Sequence, residues 1–193
     1  MTARDNPFAP ARLARVLGFD PALNGSSWEE LEAKWERLGR RAAVTGQHGA
    51  GKTSLLAAWA QRSEAKGDPV IRLFFNEQHC QLQDPDRDLL GECVGKLVLL
   101  DGDCHLSWWQ QRELHRLLRP AAGVLAARHR RGPWPELLRL EPGLELAKIL
   151  LNRAFSARSG PWSDNLPERW RRHRGNLREL WLELYDEAAE FPL

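Results

Sequence analysis

A short glycine-rich segment carries the clearest chemical signal in the sequence. It fits the pattern G-x-x-x-x-G-K-[ST], with one further serine, and consists of Gly46, Gln47, His48, Gly49, Ala50, Gly51, Lys52, Thr53 and Ser54. Backbone N–H groups of such a loop surround phosphate oxygens, and glycine leaves room for the tight curl that this needs. Amides at the start of the following helix add partial positive charge. We therefore expect the segment, called the P-loop below, to bind the phosphates of a nucleotide.

Two side chains of the P-loop have more specific expected roles. The ammonium of Lys52 reaches the β- and γ-phosphates in such loops, and the hydroxyl of Thr53 binds Mg²⁺. The context is appropriate, because the apolar residues 42–44 precede the loop as a strand should, and the helix-forming residues 54–62 follow it. The expected ligands are therefore ATP and Mg²⁺.

A second acidic position lies about fifty residues further along the chain. Four apolar residues, 97–100, end in Asp101, as in a buried strand that brings a carboxylate to its carboxyl end. There Asp101 can bind Mg²⁺ together with Thr53. Gly102 follows directly, and Asp103 comes one position later. Asp103 can act as a general base through a water molecule, or it can cap a turn.

Strand-like and helix-like segments alternate through most of the chain. Ser27 and Glu30 form a capping box that begins a helix, and later apolar runs indicate four further strands separated by helices. This alternation predicts an α/β fold: a doubly wound, mainly parallel five-stranded sheet flanked by helices, with a small C-terminal helical tail. We expect an N-terminal arm and helix over residues 1–39, a nucleotide-binding core over 40–141 and a lid-like helical tail over 142–193.

Together, the P-loop and the strand ending in Asp101 make this chain resemble the additional-strand branch of P-loop ATPases. Within that branch it resembles the AAA-type ATPases. Members that hydrolyse ATP rapidly usually have glutamate directly after the aspartate that corresponds to Asp101, and here Gly102 stands in that place. The resemblance therefore implies magnesium and ATP binding, but it does not imply fast hydrolysis.

The same resemblance suggests three further sets of residues near the phosphates. The fourth strand ends in Arg128 and His129, where the family places its sensor 1 side chain. The segment 175–180 resembles the motif that carries the sensor 2 arginine, which here is Arg178; the alternative is a surface arginine on an amphipathic helix. Arg130 and Arg131 form either an arginine finger for a neighbouring subunit or a solvated basic loop.

Composition limits the class of protein and its partners. The 193 residues carry a net charge of +2, and residues 112–178 hold fourteen arginines and one lysine against six acids. This Arg-rich C-terminal portion suggests a possible nucleic acid or protein partner. Three widely spaced cysteines are typical of reduced thiols, and no apolar run is long enough to cross a membrane. We expect a cytoplasmic protein, whose oligomeric state the sequence leaves open.

The function that these observations favour is slow ATP hydrolysis coupled to a conformational switch. In this interpretation Lys52, Asp103 and Arg178 are the catalytic residues. Two alternatives share the same P-loop: a small-molecule or nucleotide kinase, and a non-catalytic nucleotide-binding scaffold. The kinase and ATPase branches differ in whether the fourth strand lies between the first and the third.

Overall fold

The computed structural model describes residues 17–155 and 160–190. Residues 1–16 of the expected N-terminal arm lie outside them. One sheet contains the strands β1 (Arg41–Gly46), β2 (Val70–Phe74), β3 (Leu97–Asp101), β4 (Gly123–Arg128) and β5 (Glu136–Leu140). The α-helices are α1 (Trp28–Arg37), α2 (Lys52–Ala65), α3 (Asp84–Gly91), α4 (Trp108–Leu117), α5 (Leu144–Phe155), α6 (Gly160–Ser163), α7 (Leu166–Arg172) and α8 (Leu177–Glu190).

The strands lie in the order β2-β3-β4-β1-β5, and every pair of neighbours is parallel. The carboxyl ends therefore meet at one edge of the sheet. The register brings Thr45 opposite Arg128, Gly46 opposite Leu140, and Asp101 opposite Ala127. The predicted doubly wound α/β fold is confirmed, and the sheet is parallel throughout.

Alternate residues of the central strands point to opposite faces of the sheet, and each face has its own apolar cluster. Ala42 and Val44 pack into one cluster with residues of α1 and α2, whereas Ala43 packs into the other with residues of α3 and α4. A strand covered on both faces needs apolar residues at every position. For this reason residues 97–100 and 123–127 are all buried.

The first long helix begins at the capping box that the sequence predicts. Ser27 Oγ accepts a hydrogen bond from the Glu30 amide at 3.1 Å, and Glu30 Oε2 accepts one from the Ser27 amide at 3.0 Å. Two tryptophans of α1, Trp28 and Trp35, then pack edge-on against Trp59 of α2, with ring centroids 5.9 and 5.4 Å apart. This aromatic contact holds α1 beside the helix that follows the P-loop.

The tail helices have a separate apolar cluster. Residues of α5, α7 and α8 supply most of it, including Leu151, Leu166, Leu180 and Leu184, all nearly fully buried. The tail therefore has a small core of its own, while the start of α8 reaches back to the P-loop. Among the described residues no helix is both long and apolar enough to cross a membrane.

Candidate nucleotide-binding site

The P-loop connects the end of β1 to the start of α2 at the carboxyl edge of the sheet. Gly46 is the last residue of β1, and Lys52 is the first of α2. The Lys52 side chain is buried, and its Nζ donates hydrogen bonds to Gly46 O at 2.8 Å and Gln47 O at 2.7 Å. Burial lowers the pKa of Lys52, and the nearby Asp101 opposes this shift. The ammonium thus lies inside the curl of the loop, where the sequence predicts a phosphate-binding cation.

The two residues predicted to bind Mg²⁺ touch each other. Thr53 Oγ1, in the first turn of α2, donates a hydrogen bond to Asp101 Oδ2 over 2.6 Å, although the residues are 48 positions apart. A hydroxyl and a carboxylate are hard oxygen donors, which are the ligands that Mg²⁺ prefers. The donor set therefore fits a magnesium ion beside the P-loop.

Gly102 has a backbone conformation that a side chain would strain. Its φ is +79°, and a Cβ built there would lie 2.1 Å from the carbonyl oxygen of Phe75. The ATPases that this chain resembles usually have a glutamate at the position of Gly102. In this chain the backbone itself leaves no room for that side chain.

Asp103 is fully buried and forms an ion pair with Arg128. Its exposed fraction is 0%, against 6% for Arg128, whose Nε donates to Asp103 Oδ2 at 3.1 Å and whose Nη2 makes a shorter contact with the same oxygen. The guanidinium is therefore directed at Asp103, one turn after the end of β3. A role for Asp103 as general base, or for Arg128 as a phosphate ligand, requires this ion pair to open.

The residue after Arg128 lies at the centre of the site. His129 Nδ1 is 3.2 Å from Lys52 Nζ, and its ring stacks on that of His48, with centroids 3.6 Å apart. Burial, helped by the positive charge of Lys52, lowers the pKa of His129 to about 4. The imidazole is therefore neutral at pH 7, and Nδ1 accepts a hydrogen bond from the Lys52 ammonium, which can only donate. Of the two sensor 1 candidates, His129 is the one beside the lysine.

The segment that resembles the sensor 2 motif touches the P-loop. Gln47 Nε2 donates a hydrogen bond to Gly175 O at 3.2 Å. A Cβ on Gly49 would lie 1.8 Å from Asn176 Oδ1 and 3.0 Å from the backbone nitrogen of Arg178. Arg178 itself is exposed, and the described residues offer it no side-chain hydrogen bond or ion pair. Within the described residues its side chain is thus unengaged, while its backbone adjoins the P-loop at Gly49.

Sequence reasoning missed Asn176, although it had marked the segment around it. The Asn176 side chain caps α8, because its Oδ1 accepts hydrogen bonds from the Arg178 amide at 3.0 Å and the Glu179 amide at 3.3 Å. An asparagine just before an apolar helix is a recognisable capping signal. Nothing in the sequence indicates that this same cap packs against Gly49.

A cleft of about 520 Å³ opens beside the start of the P-loop. Gly46 and Gln47 form one part of its wall, and His129, Arg130 and Arg139 form another. Its size is typical of clefts that bind small ligands. Two carboxylates also line the cleft, because Glu136 pairs with Arg131 and Glu141 pairs with Arg139, so its charge is mixed.

Strand order decides which branch of P-loop proteins this fold matches. β4 lies between β1 and β3, as in the additional-strand branch, whereas in the kinase branch β1 and β3 are direct neighbours. The chain has the fold of the AAA-type P-loop ATPases. The resemblance predicted from the P-loop and Asp101 is thereby confirmed for the fold.

Comparison with solved structures supports the same assignment. Domain III of the replication initiation protein DnaA from Thermotoga maritima aligns with a TM-score of 0.58 and 17% identity, over 95% of this chain and 92% of that one. RuvB from Thermotoga maritima gives a TM-score of 0.55 and 16% identity, over 84% of this chain and 59% of RuvB. NtrX from Brucella abortus, in complex with ADP, gives a TM-score of 0.50 and 16% identity, over 81% and 48%.

These similarities define the AAA-type fold of the chain and no more than the fold. The chain spans about half to three fifths of the length of the RuvB and NtrX chains that it resembles. No protein-family model and no curated protein matches the sequence. Activity must therefore be argued from the site itself.

Proposed function

We propose that this protein binds ATP together with Mg²⁺. The observation that carries the proposal is the contact between Thr53 Oγ1 and Asp101 Oδ2 next to the buried ammonium of Lys52. The backbone amides of the P-loop hold the phosphates, Lys52 contacts the β- and γ-phosphates, and Thr53 and Asp101 hold the metal. When bound, Mg²⁺ neutralises charge on the β- and γ-phosphate oxygens.

We further propose that hydrolysis is slow. A water molecule that attacks the γ-phosphate needs a residue to orient it or to accept its proton. Position 102 has no side chain, and the carboxylate of Asp103 is buried against Arg128. The neutral imidazole of His129 has a single acceptor nitrogen, and Lys52 Nζ already engages it at 3.2 Å. The arrangement favours retention of ATP over rapid turnover.

Slow turnover is suited to a nucleotide-controlled conformational switch. The start of α8 contacts the P-loop through Gln47 and Gly49, so any adjustment of the loop around phosphates changes what α8 packs against. When ATP is bound, its phosphates supply an anionic partner for the exposed guanidinium of Arg178. We propose that ATP draws Arg178 and the tail helices towards the site, and that loss of the γ-phosphate releases them.

The binding proposal is tested by removing the lysine. Lys52→Ala should abolish binding of ATP and Mg²⁺, measured by isothermal titration calorimetry, because the loop loses its central cation. Lys66→Ala is the matched control, since Lys66 lies at the opposite end of the same helix, about 20 Å away at 1.5 Å per residue, and pairs with Glu32. Unchanged affinity of the Lys52 variant would overturn the assignment.

Turnover separates this proposal from a second candidate, a non-catalytic nucleotide-binding scaffold. That candidate is favoured by the lack of room for a side chain at Gly102. Phosphate release measured over hours with saturating ATP distinguishes the two, because a scaffold releases none.

The third candidate, a kinase, is disfavoured by the position of β4 in the sheet. A cytoplasmic location, in agreement with three free cysteines, is part of the proposal.

A further inference from the structure

One helix presents tryptophan and arginine to solvent instead of the usual mixture of polar residues. At 100° per residue, the outward positions of α4 and of the turn that follows it fall within an arc of about 100°. All are exposed, and they are Trp108, Trp109, Arg112, Arg116 and Arg119. We call this set the tryptophan–arginine ridge. None of its residues belongs to the P-loop or lines the cleft beside it.

The two tryptophans of the ridge have no packing role that accounts for them. Trp35 and Trp59 are buried in the core, whereas Trp108 is 58% exposed and Trp109 is 74% exposed. Their rings meet edge-on with centroids 4.3 Å apart, and the Arg112 guanidinium lies 4.9 Å above the Trp108 ring. Large aromatic side chains left in water next to each other mark an interaction surface more often than chance exposure.

Among the described residues, no carboxylate forms an ion pair with an arginine of the ridge. Within the described ranges, the guanidinium groups of Arg112, Arg116 and Arg119 have no carboxylate within 4.0 Å. The one acid of α4, Glu113, is bound to Arg87 of α3, with its Oε1 2.9 Å from Arg87 Nε, and the charge of Arg116 also helps to lower its pKa. The ridge therefore has three cations with free hydrogen-bond donors.

Further cations flank the ridge on the side away from α3. His115 of α4 packs against Trp134, with ring centroids 4.7 Å apart, which holds the loop after β4 beside α4. That loop carries the exposed residues Arg130 and Arg131. The positive surface thus extends from the ridge across the neighbouring loop.

We propose that the tryptophan–arginine ridge binds single-stranded nucleic acid. Indole faces stack on unpaired bases, and arginines contact the phosphates between them. From Trp108 to Arg116 the ridge is about 12 Å long at 1.5 Å per residue, which is enough for two or three nucleotides. A second copy of the chain fits poorly, because a two-fold contact through this face would oppose arginines to arginines.

The test uses the full-length chain and a fluorescein-labelled oligothymidylate of about 15 nucleotides, followed by fluorescence anisotropy. Trp108→Ala and Trp109→Ala should each weaken binding by about 5-fold to 100-fold, as expected for a lost base-stacking contact. Phe74→Ala is the matched control, because Phe74 is 56% exposed and lies on β2, outside the ridge. The control should bind like the wild type.

The arginines are tested by salt dependence. Each phosphate contact contributes about 0.7 to the slope of log affinity against log salt for a single strand. The double variant Arg112→Gln and Arg116→Gln should therefore flatten the slope by about 1.4, whereas Arg37→Gln, an exposed arginine on α1, should leave it unchanged. Circular dichroism of each variant verifies that the fold is retained.

Three results would overturn the proposal. The first is oligothymidylate binding that the ridge variants leave unchanged, or no binding in low salt. The second is equal affinity for duplex of the same length, since paired bases offer no free face for stacking. The third is concentration-dependent self-association that disappears in Trp108→Ala, measured by light scattering, which would make the ridge an interface between copies of the chain.

Discussion

The close approach of Gly49 and Asn176 allows a specific prediction about how the P-loop is attached to the tail. Gly49 has φ +71°, and a methyl group there would lie 1.8 Å from Asn176 Oδ1. Gly51 is a matched reference in the same loop, because its φ is +94° but nothing lies within 4 Å of its virtual Cβ. Both alanine substitutions carry the strain of a left-handed backbone, and only Gly49→Ala must also displace the asparagine.

The size of the difference follows from these geometries. Left-handed strain costs an L-residue about 1 kcal/mol, so Gly51→Ala should lower the free energy of unfolding by about that amount. Gly49→Ala should also lose the Asn176 cap of α8, worth about 1 kcal/mol, for a total of about 2 kcal/mol. Asn176→Ala alone should cost about 1 kcal/mol. The double variant should cost about 2 kcal/mol instead of the additive 3 kcal/mol, because the cap can be lost only once.

Urea denaturation of the four variants and the wild type measures these free energies. Hydrogen exchange of the Arg178 and Glu179 amides, which donate to Asn176 Oδ1, reports whether the cap is lost. We expect both amides to exchange faster in Gly49→Ala and to remain protected in Gly51→Ala. Equal costs for the two glycine variants, with strict additivity in the double variant, would refute the contact between P-loop and tail.

Three further outcomes are expected. Gly102→Glu should not restore hydrolysis in a phosphate-release assay, and its free energy of unfolding in urea should fall by about 3 kcal/mol or more, because the new Cβ meets the Phe75 carbonyl at 2.1 Å. Asp103→Asn should destabilise the fold by about 3 kcal/mol in the same assay, since it leaves Arg128 buried without its anion. Burial holds the pKa of His129 at about 4 in the folded state, below its usual 6.5. The free energy of unfolding should therefore fall as the pH drops from 6.5 to 4, by about 1 kcal/mol after allowance for solvent screening. His129→Gln should remove this loss, as measured by urea denaturation at both pH values.

The sequence predicted the elements of the core because their signals are local. The apolar run 97–100 is continuous and Asp101 ends it, so both the strand and its position at the sheet edge could be inferred. The pairing of Asp101 with Thr53 followed from the same rule. The four-residue helix α6 was missed, since Gly160 and Pro161 signal a turn as strongly as the first turn of a helix.

The order of strands and the contacts between distant segments could not be predicted. The residues of β4 do not indicate that this strand lies between β1 and β3, because its position depends on how the helices that connect the strands pack against the sheet. Asp103 was offered as a base or a turn cap, and neither interpretation foresaw a buried partner 25 residues away in Arg128. Asn176 could be recognised as a helix cap from the sequence, but its packing on Gly49 is a tertiary contact, which local sequence signals do not indicate.

The contacts of Lys52 explain why phosphate binding and tail position should be coupled at all. Its ammonium now donates to two backbone carbonyls and faces His129, and the loop that carries those carbonyls also bonds Gly175 through Gln47. A phosphate oxygen is charged, so a hydrogen bond to it is worth about 1.5 to 3 kcal/mol, compared with about 1 kcal/mol for a neutral carbonyl. In the proposed complex with ATP the lysine therefore gains by exchanging partners, and the carbonyls of Gly46 and Gln47 lose a donor. Because the Gln47 side chain is bonded to Gly175, we expect any resulting shift of Gln47 to reach the tail.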